Sequence, residues 1–517
     1  MASLASGTKT LVVIAEESTA YTTENVPAES AVGISTIVSD LSEVITVTTS
    51  TDHGYKDGDR VTFSIEDGDA QDVLEGNDYY VDVTSTTEFV LYTDRKLRKA
   101  ATDLGASEAG ALTSGTGTPE VTRKSLEEGY EAPRVTGRAV NLEKNLLESE
   151  EVRASRMQRD VRHGFTTASA SIGFEWVAGG QEVLIDSVLD SITAETAVAS
   201  AITVTGAIGD VSGLGDIEVG DGDADNIKVG DLLVFYRNAT GLITGSAAVL
   251  EVDTAGGAPD TIKISERTPL KNQGASTIDF VVAKKNEIGS GIFKTYTIER
   301  QFTDLATPQY EPFYGMVGNS LSVTISPESI AGGTVEFVGT GSGEMGATSQ
   351  NGASEAHPVS TNSPFAAFDG AIFESGSDND IGTSTAPVAV VTSIDFTVNN
   401  NRTSEARVGS KFSPCVFDAT CQVEGTLSVF FDDKTLYNKF VNETETSILI
   451  HLTGAAATDK TYASIYFPRV KFNGATIDPP AEGAVTMEIP FRALEGSAGE
   501  SAVTISTFDS EVTSIDV

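Results

Sequence analysis

Four histidines, two cysteines and a large excess of carboxylates are the groups through which this chain could do chemistry. His53, His163, His357 and His451 are scattered, and none has a second histidine at i+4 to hold a zinc on one helix face. His53 precedes Gly54 in a turn and His163 enters a strand, positions that suit structural roles. No Gly-x-Ser-x-Gly elbow stands between a strand and a helix, and Gly341-Ser342-Gly343 falls in a Gly/Ser-rich run. A phosphate-cradling Gly-Lys-Ser/Thr and a dinucleotide fingerprint are both missing. Two acidic loops have the composition of cation sites, Asp221-Gly222-Asp223-Ala224-Asp225-Asn226 and Asp378-Asn379-Asp380. The first has a calcium-loop rhythm, yet Leu232 stands where the bidentate twelfth-position glutamate belongs, so a solvated loop is expected. Cys415 and Cys421 lie six apart in a strand-like run, a span of roughly 20 Å that no disulfide bridges within one strand, so free thiols are expected. Asn-x-Ser/Thr triplets at Asn238, Asn401 and Asn442 are read as chance, since no secretory leader opens the sequence. No catalytic, cofactor-binding or metal-binding residue is assigned, and no cofactor is expected.

The charge balance narrows the partners. With 75 acidic against 34 basic residues the formal net charge is −41. Sequence-independent nucleic-acid binding needs Lys and Arg to displace counterions, and an anionic membrane surface needs them too. Neither fits. No uncharged apolar run is long enough to cross a bilayer. Synthesis in a cytoplasm is the expectation.

The elements that must position any site are mostly strands. The 49 glycines and many Thr, Val and Ser residues point to short strands and tight turns. From Ser35 to Val121, alternating runs (Val61, Phe63, Ile65; Tyr79, Val81, Val83; Phe89, Leu91) are separated by turns such as Asp57-Gly58-Asp59 and Gly76-Asn77-Asp78, the pattern of a small sandwich or barrel. Leu142–Val161 is highly charged, and its leucines read as partly helical. Phe165–Val177 alternates cleanly, with Ala168, Ala170, Ile172, Phe174 and Trp176 on one face. Gly179-Gly180 turns the chain into Gln181–Ile192, a helical segment whose Leu184, Val188 and Leu189 share a face. A further β pattern occupies Thr193–Ile288. Its Gly230-Asp231 followed by Leu232–Phe235 echoes Gly58-Asp59 followed by Arg60–Phe63, which suggests related inserts. Gly341–Ser363 reads as a linker.

The later half looks like a second copy of Glu151–Gly339 lacking that insert. Leu184, Val188 and Leu189 match Leu436, Phe440 and Val441 at a spacing of 252 positions. Ile325-Ser326-Pro327 matches Ile477-Asp478-Pro479, and Thr334-Val335-Glu336-Phe337 matches Thr486-Met487-Glu488-Ile489, both at 152. The drop of 100 is about the size of the insert. One feature conflicts: at a spacing of 252 the apolar face of Ala168–Trp176 falls opposite the wrong face of Ala419–Val429, so a one-residue length difference such as a bulge is needed. Two unrelated β domains with similar grammar remain the alternative.

Ser149–Asp160 (SEEVRASRMQRD) resembles the opening signature of the tail tube (major tail) proteins of long non-contractile-tailed bacteriophages, the siphophages. There it runs into a strand and a helix like those at Phe165–Val177 and Gln181–Ile192. Tyr296–Phe302, Tyr314–Leu321 and the Ile325-Ser326-Pro327 that follows also resemble that family, and His53–Val81 is similar to a β module that decorates phage tail proteins.

The resemblance implies a mainly β fold: two tandem tail-tube β-sandwich domains, each with a flanking helix, plus two small inserted β-barrel or Ig-like modules. The division expected is 1–34 N-terminal arm, 35–125 decoration module, 126–192 with 289–346 tube domain 1, 193–288 inserted module, 347–385 linker, 386–500 tube domain 2 and 501–517 C-terminal arm. It implies a structural subunit of the virion tail, not an enzyme. That subunit stacks in rings into a hollow conduit for DNA, and two tube domains per chain imply trimeric rings with pseudo-sixfold symmetry. The implied partners are the chain itself, a tape measure protein inside, tail tip and tail terminator proteins at the ends, and genomic DNA in transit without specific binding; no membrane is involved. An acidic lumen would repel phosphates, and the polar-face candidates for it are Glu175, Glu336 and Glu488. An Ig-like surface adhesin and a capsid decoration protein are the competing readings.

Overall fold

In a computed structural model of the chain, strands such as Val161–Glu175, Gly332–Gly339, Val391–Asn399 and Thr486–Leu494 alternate between buried and more exposed positions, whereas Leu232–Arg237 and Thr446–Thr453 are buried on both faces. The structure describes residues 10–16, 31–39, 45–52, 60–65, 74, 78–92, 110–111, 119–123, 133–148, 161–193, 215–220, 222, 224–237, 243–254, 260–265, 278–289, 294–327, 329–347, 349, 362–375, 381, 391–432, 434–454, 460–479, 482–497 and 499–509. The signature 149–160, His53, His357, Asn238 and the Asp378–Asp380 loop lie outside them.

Two runs of six strands have the same neighbour order. In the first, Thr10–Glu16 pairs with Tyr296–Phe302, which pairs with Gln309–Ile325, then Gly332–Gly339, Val161–Glu175 and Val135–Glu148, all antiparallel. In the second the order is Gly370–Ser375, Thr446–Thr453, Tyr462–Phe472, Thr486–Leu494, Gln422–Phe430 and Val391–Asn399. A helix follows the fifth strand of each run: α1 (Glu182–Leu189) and α2 (Thr435–Val441). The runs merge, because Ser320–Ile325 pairs with Ile394–Asn399. One apolar core then draws on both, from Ile172, Phe174 and Leu321 to Phe396, Leu427 and Phe491.

Several expectations change. Val135–Glu148 is a strand, not part of a helix: Leu142, Leu146 and Leu147 mimic helical spacing, but pairing with Val161–Phe174 holds the backbone extended. The N-terminal stretch is no free arm at Thr10–Glu16, where Val12, Val13 and Ile14 are buried. The C-terminal stretch likewise contributes Thr504–Phe508, a buried strand between Lys284–Glu287 and Tyr462–Tyr466. Inside the linker, Phe365 is fully buried edge-to-face against Trp176, and its N–H donates to the Trp176 carbonyl at 2.9 Å. Gly370–Ser375 then joins the second run.

Register explains the inverted faces. Ala170 stands opposite Phe337 and Leu427 opposite Ile489. With Thr334–Phe337 laid on Thr486–Ile489, Ala170 falls on Leu427, 257 positions on. That odd spacing restores the apolar faces, through a strand-to-helix connection five residues shorter in the second run and not through a bulge. The same alignment puts Leu321, not Ile325, on the rung of Ile477, since Leu321 faces Val335 and Ile477 faces Met487. The second hairpin is shorter.

The two smaller modules share a strand order as well. Gly215–Val219, Asp260–Ile264, Ile243–Asp253, Leu232–Arg237 and Ile278–Val282 are successive neighbours. The equivalent order is Ile45–Thr49, Glu88–Tyr92, Asp78–Ser85, Arg60–Ser64 and Glu120–Arg123. In this module Ala31–Ser39 closes the ring by pairing with the first and last. The other module leaves the first run through a stem, Asp190–Thr193 paired with Lys284–Ile288, and lies on the second run. Leu232, Val234 and Val281 pack with Tyr462 and Phe508, and Ala248 and Leu250 with Phe373, Leu449 and Tyr466. A Cβ on Gly230 would sit 2.3 Å from the Tyr466 ring, so only glycine permits this approach. Beside it, Asp231 accepts from Lys285 Nζ at 3.1 Å and from the Lys228 N–H at 2.9 Å. Burial pushes the Asp231 carboxyl upward while Lys285 pulls it back.

Candidate assembly surfaces

Because the two runs merge, the side chains that point away from the core form one polar face across both. Ser171 faces Glu336, Glu336 faces Ser320, and Ser320 faces Asn399. Asp395 faces Thr426, Thr397 faces Glu424, and Ser428 faces Glu488. Glu143, opposite Thr167, extends the row at the far edge. The acids on this face are Glu143, Glu175, Glu336, Asp395, Glu424 and Glu488, set among Ser, Thr and Asn. The basic residues at its margin are each held by a glutamate: Arg492 at 3.8 Å from Glu424, Lys471 at 3.5 Å from Glu443 and Arg469 at 2.7 Å from Glu445. Arg469 holds the Glu445 carboxyl below its ordinary range by hydrogen bonding.

The structure brings the three acids singled out from sequence onto this one face. Glu336 and Glu488 occupy corresponding rungs; Glu336 accepts from Ser320 Oγ at 3.1 Å. Glu175 sits at the strand end, 3.5 Å from Arg134 Nη2, and its backbone carbonyl accepts from Gln181 Nε2. Sequence reading missed Glu143, Asp395 and Glu424. The alternation of Val391–Asn399 and Gln422–Phe430 carried the signal for the last two.

The seam between the runs is bolted at one buried cluster. Arg402 follows the strand Val391–Asn399 and reaches back into the first run. Its Nη1 donates to the Gly318 carbonyl at 2.5 Å, its Nε to Asp418 Oδ1 at 2.9 Å and its Nη2 to Asp190. Asp190 ends α1 in the left-handed region at φ 61°. Its N–H caps the Asp186 carbonyl, and burial raises its carboxyl to about 6 against the opposing pull of Arg402. Asn400 Nδ2 donates to the Val188 carbonyl at 2.8 Å. Gly318 admits the helix: a Cβ there would meet the Ser187 carbonyl oxygen at 2.5 Å.

A family model described as phage tail tube protein matches residues 7–493. The chain belongs to that family. No curated protein matches it. Membership makes this a structural tail tube subunit and a component of the virion tail, one that assembles with itself into a tube. No helix among the described residues is long and apolar enough to cross a membrane.

The remaining chemical candidates have structural surroundings in this tail tube protein. Asp260 Oδ2 accepts from the Gly222 and Ala224 N–H groups, at 2.9 and 3.4 Å, and so ties down the acidic turn. Among the described residues no group of three or more His, Cys, Asp and Glu side chains is placed to hold a metal ion. Cys415 and Cys421 are free, and burial pushes the Cys421 thiol up to about 11. His163 lies exposed on Val161–Glu175, while His451 is buried with its Nε2 3.1 Å from Ser246 Oγ.

Proposed function

We propose that each chain supplies two tube domains side by side, the two six-stranded runs, and that three chains close a ring with pseudo-sixfold symmetry. Rings stack into the conduit through which DNA leaves the virion. The polar face of the merged sheet lines its lumen. The observation that carries this reading is the merged sheet itself: one run continues into the other through backbone pairing, with apolar residues on the core side and acids among short hydroxyl and amide side chains on the other. Such a surface repels phosphate, and the basic residues at its margin, Arg469, Lys471 and Arg492, are each paired with a glutamate, which opposes counterion release. In the assembled tail the lumen first holds a tape measure protein, and tip and terminator proteins close the ends. The two smaller modules sit on the outer wall.

Electron microscopy of the purified protein, with solution mass measured alongside, tests the reading. Hollow tubes or stacked rings with a ring mass of three chains are expected; a strictly monomeric species at high concentration, also in the presence of tail initiator complexes, overturns it. The lumen is tested separately by Glu336→Lys with Glu488→Lys. Assembled variant tubes are expected to retain double-stranded DNA at roughly 50 mM salt and to release it near 200 mM, where the native tubes retain none. Equal behaviour of the two would place these acids elsewhere.

A further inference from the structure

The seam inside the chain is a template for a contact the single chain leaves unmade. At the seam, Ser320 and Leu321 pair with Asn399 and Val398. The rungs that correspond to Ser320 and Leu321 in the second run are Thr476 and Ile477, set by their partners Glu488 and Met487. Among the described residues this edge has no strand on its outer side. Leu321 is fully buried, whereas Ile477 is 37% exposed. The strand that corresponds to Val391–Asn399 is Val135–Glu148. Val140 stands on Ala170 as Ile394 stands on Leu427, which lays Asn145 on Asn399 and Lys144 on Val398. Its outer edge also carries no strand among the described residues.

A second pair of surfaces follows from the same correspondence. In the seam, the residues just beyond Asn399 cover the end of α1: Asn400 bonds the Val188 carbonyl and Arg402 bonds Asp190. Most of α1 is buried, including Val183, Leu184, Ile185, Val188 and Leu189. α2 is buried only at Leu436 and leaves Tyr437 and Val441 exposed, Val441 by 56%. The residues just beyond Asn145 are Leu146 and Leu147, exposed by 52% and 56%. Isolated exposed apolar residues are ordinary, but here both members of a corresponding pair are uncovered.

We propose that the partner is a second copy of this chain. Glu143–Asn145 of one copy pairs with Thr476–Asp478 of the next, and Leu146 and Leu147 cover Tyr437 and Val441 of its α2. The inference rests on the self-assembly reading and names the residues that carry it. The seam within the chain is closed by amide and guanidinium groups, and the seam between chains by aliphatic and aromatic ones.

Four proteins test the proposal: the native chain, Leu147→Glu, Val441→Lys and the double variant, compared by solution mass against concentration and by electron microscopy. All substituted side chains are over half exposed, so the thermal midpoint of the unassembled chain is expected to stay unchanged. Each single variant is expected to raise the concentration for half-assembly by at least about tenfold, as loss of a central apolar contact does. The double variant, with opposite charges facing, is expected to recover most of that loss. Single variants that assemble like the native chain overturn this contact and leave the tube reading standing. Single variants that fail with a double variant that also fails overturn the pairing of Leu147 with Val441. A native chain that never assembles overturns both readings.

Discussion

Replacing Arg402 with alanine is expected to lower the unfolding free energy by about 3–5 kcal/mol, the usual cost of deleting one partner of a buried ion pair. The guanidinium is 3% exposed and Asp190 7%. Its removal strands the Asp190 carboxylate, leaves the Gly318 carbonyl without this donor and frees Asp418. A loss of that size is a large fraction of the stability of most domains. Denaturant unfolding followed by tryptophan fluorescence reads it directly, since Trp176 is the sole tryptophan and is buried in the shared core. Arg402→Lys is expected to recover little, because a single ammonium cannot reach three acceptors held in a planar fork. A loss under 1 kcal/mol in the alanine variant would show that the seam does not depend on this cluster.

The second large effect is a pH dependence centred on His451. Burial lowers its pKa from 6.5 to about 4. The folded protein therefore favours the neutral ring, while the unfolded chain takes up a proton below 6.5. The contribution of the neutral ring is complete above pH 6.5 and is lost as pH falls toward 4, amounting to about 3 kcal/mol over that window. The ring lies where the Ile243–Asp253 strand of the inserted module meets the Thr446–Thr453 strand of the second run, with Ser246 as its hydrogen-bond partner. Many carboxylates titrate nearby in pH, so the decisive measurement compares unfolding of the native chain and His451→Gln at pH 7 and pH 4.5. The native chain is expected to lose more stability on acidification than the variant. Parallel losses would remove His451 from the acid response.

Much of this architecture was legible because burial on one face of a sheet writes itself into alternation. The strand Val161–Glu175 carried that signal; helix α1 was legible instead from the helical spacing of Leu184, Val188 and Leu189, and the likeness of the two smaller modules from the Gly-Asp turn before a strand in each. Val135–Glu148 carried no such signal: it is exposed along most of both faces, so burial imposed no period of two, and Leu142 and Leu146 fell by chance at helical spacing. Thr504–Phe508 is buried on both faces and too short to show any period. The Arg402–Asp190 pair joins positions 212 apart and has no local signature at all. Of the acids on the polar face, Asp395 and Glu424 were readable from alternation, whereas Glu143 needed the pairing of its strand to place it.

The seam between the two runs also changes how the subunit responds to dilution. Ser320–Ile325 and Ile394–Asn399 meet as parts of one molecule, so that contact forms during folding and its strength is independent of protein concentration. Only the contact between separate chains obeys mass action. If three chains make a ring, half of its lateral junctions are permanent, and closing it takes three bodies where single-domain subunits would need six. The translational and rotational freedom surrendered on closure is reduced accordingly. A tail built this way can keep its intermolecular junctions individually weak, and therefore correctable during growth, without the finished ring falling apart at low subunit supply.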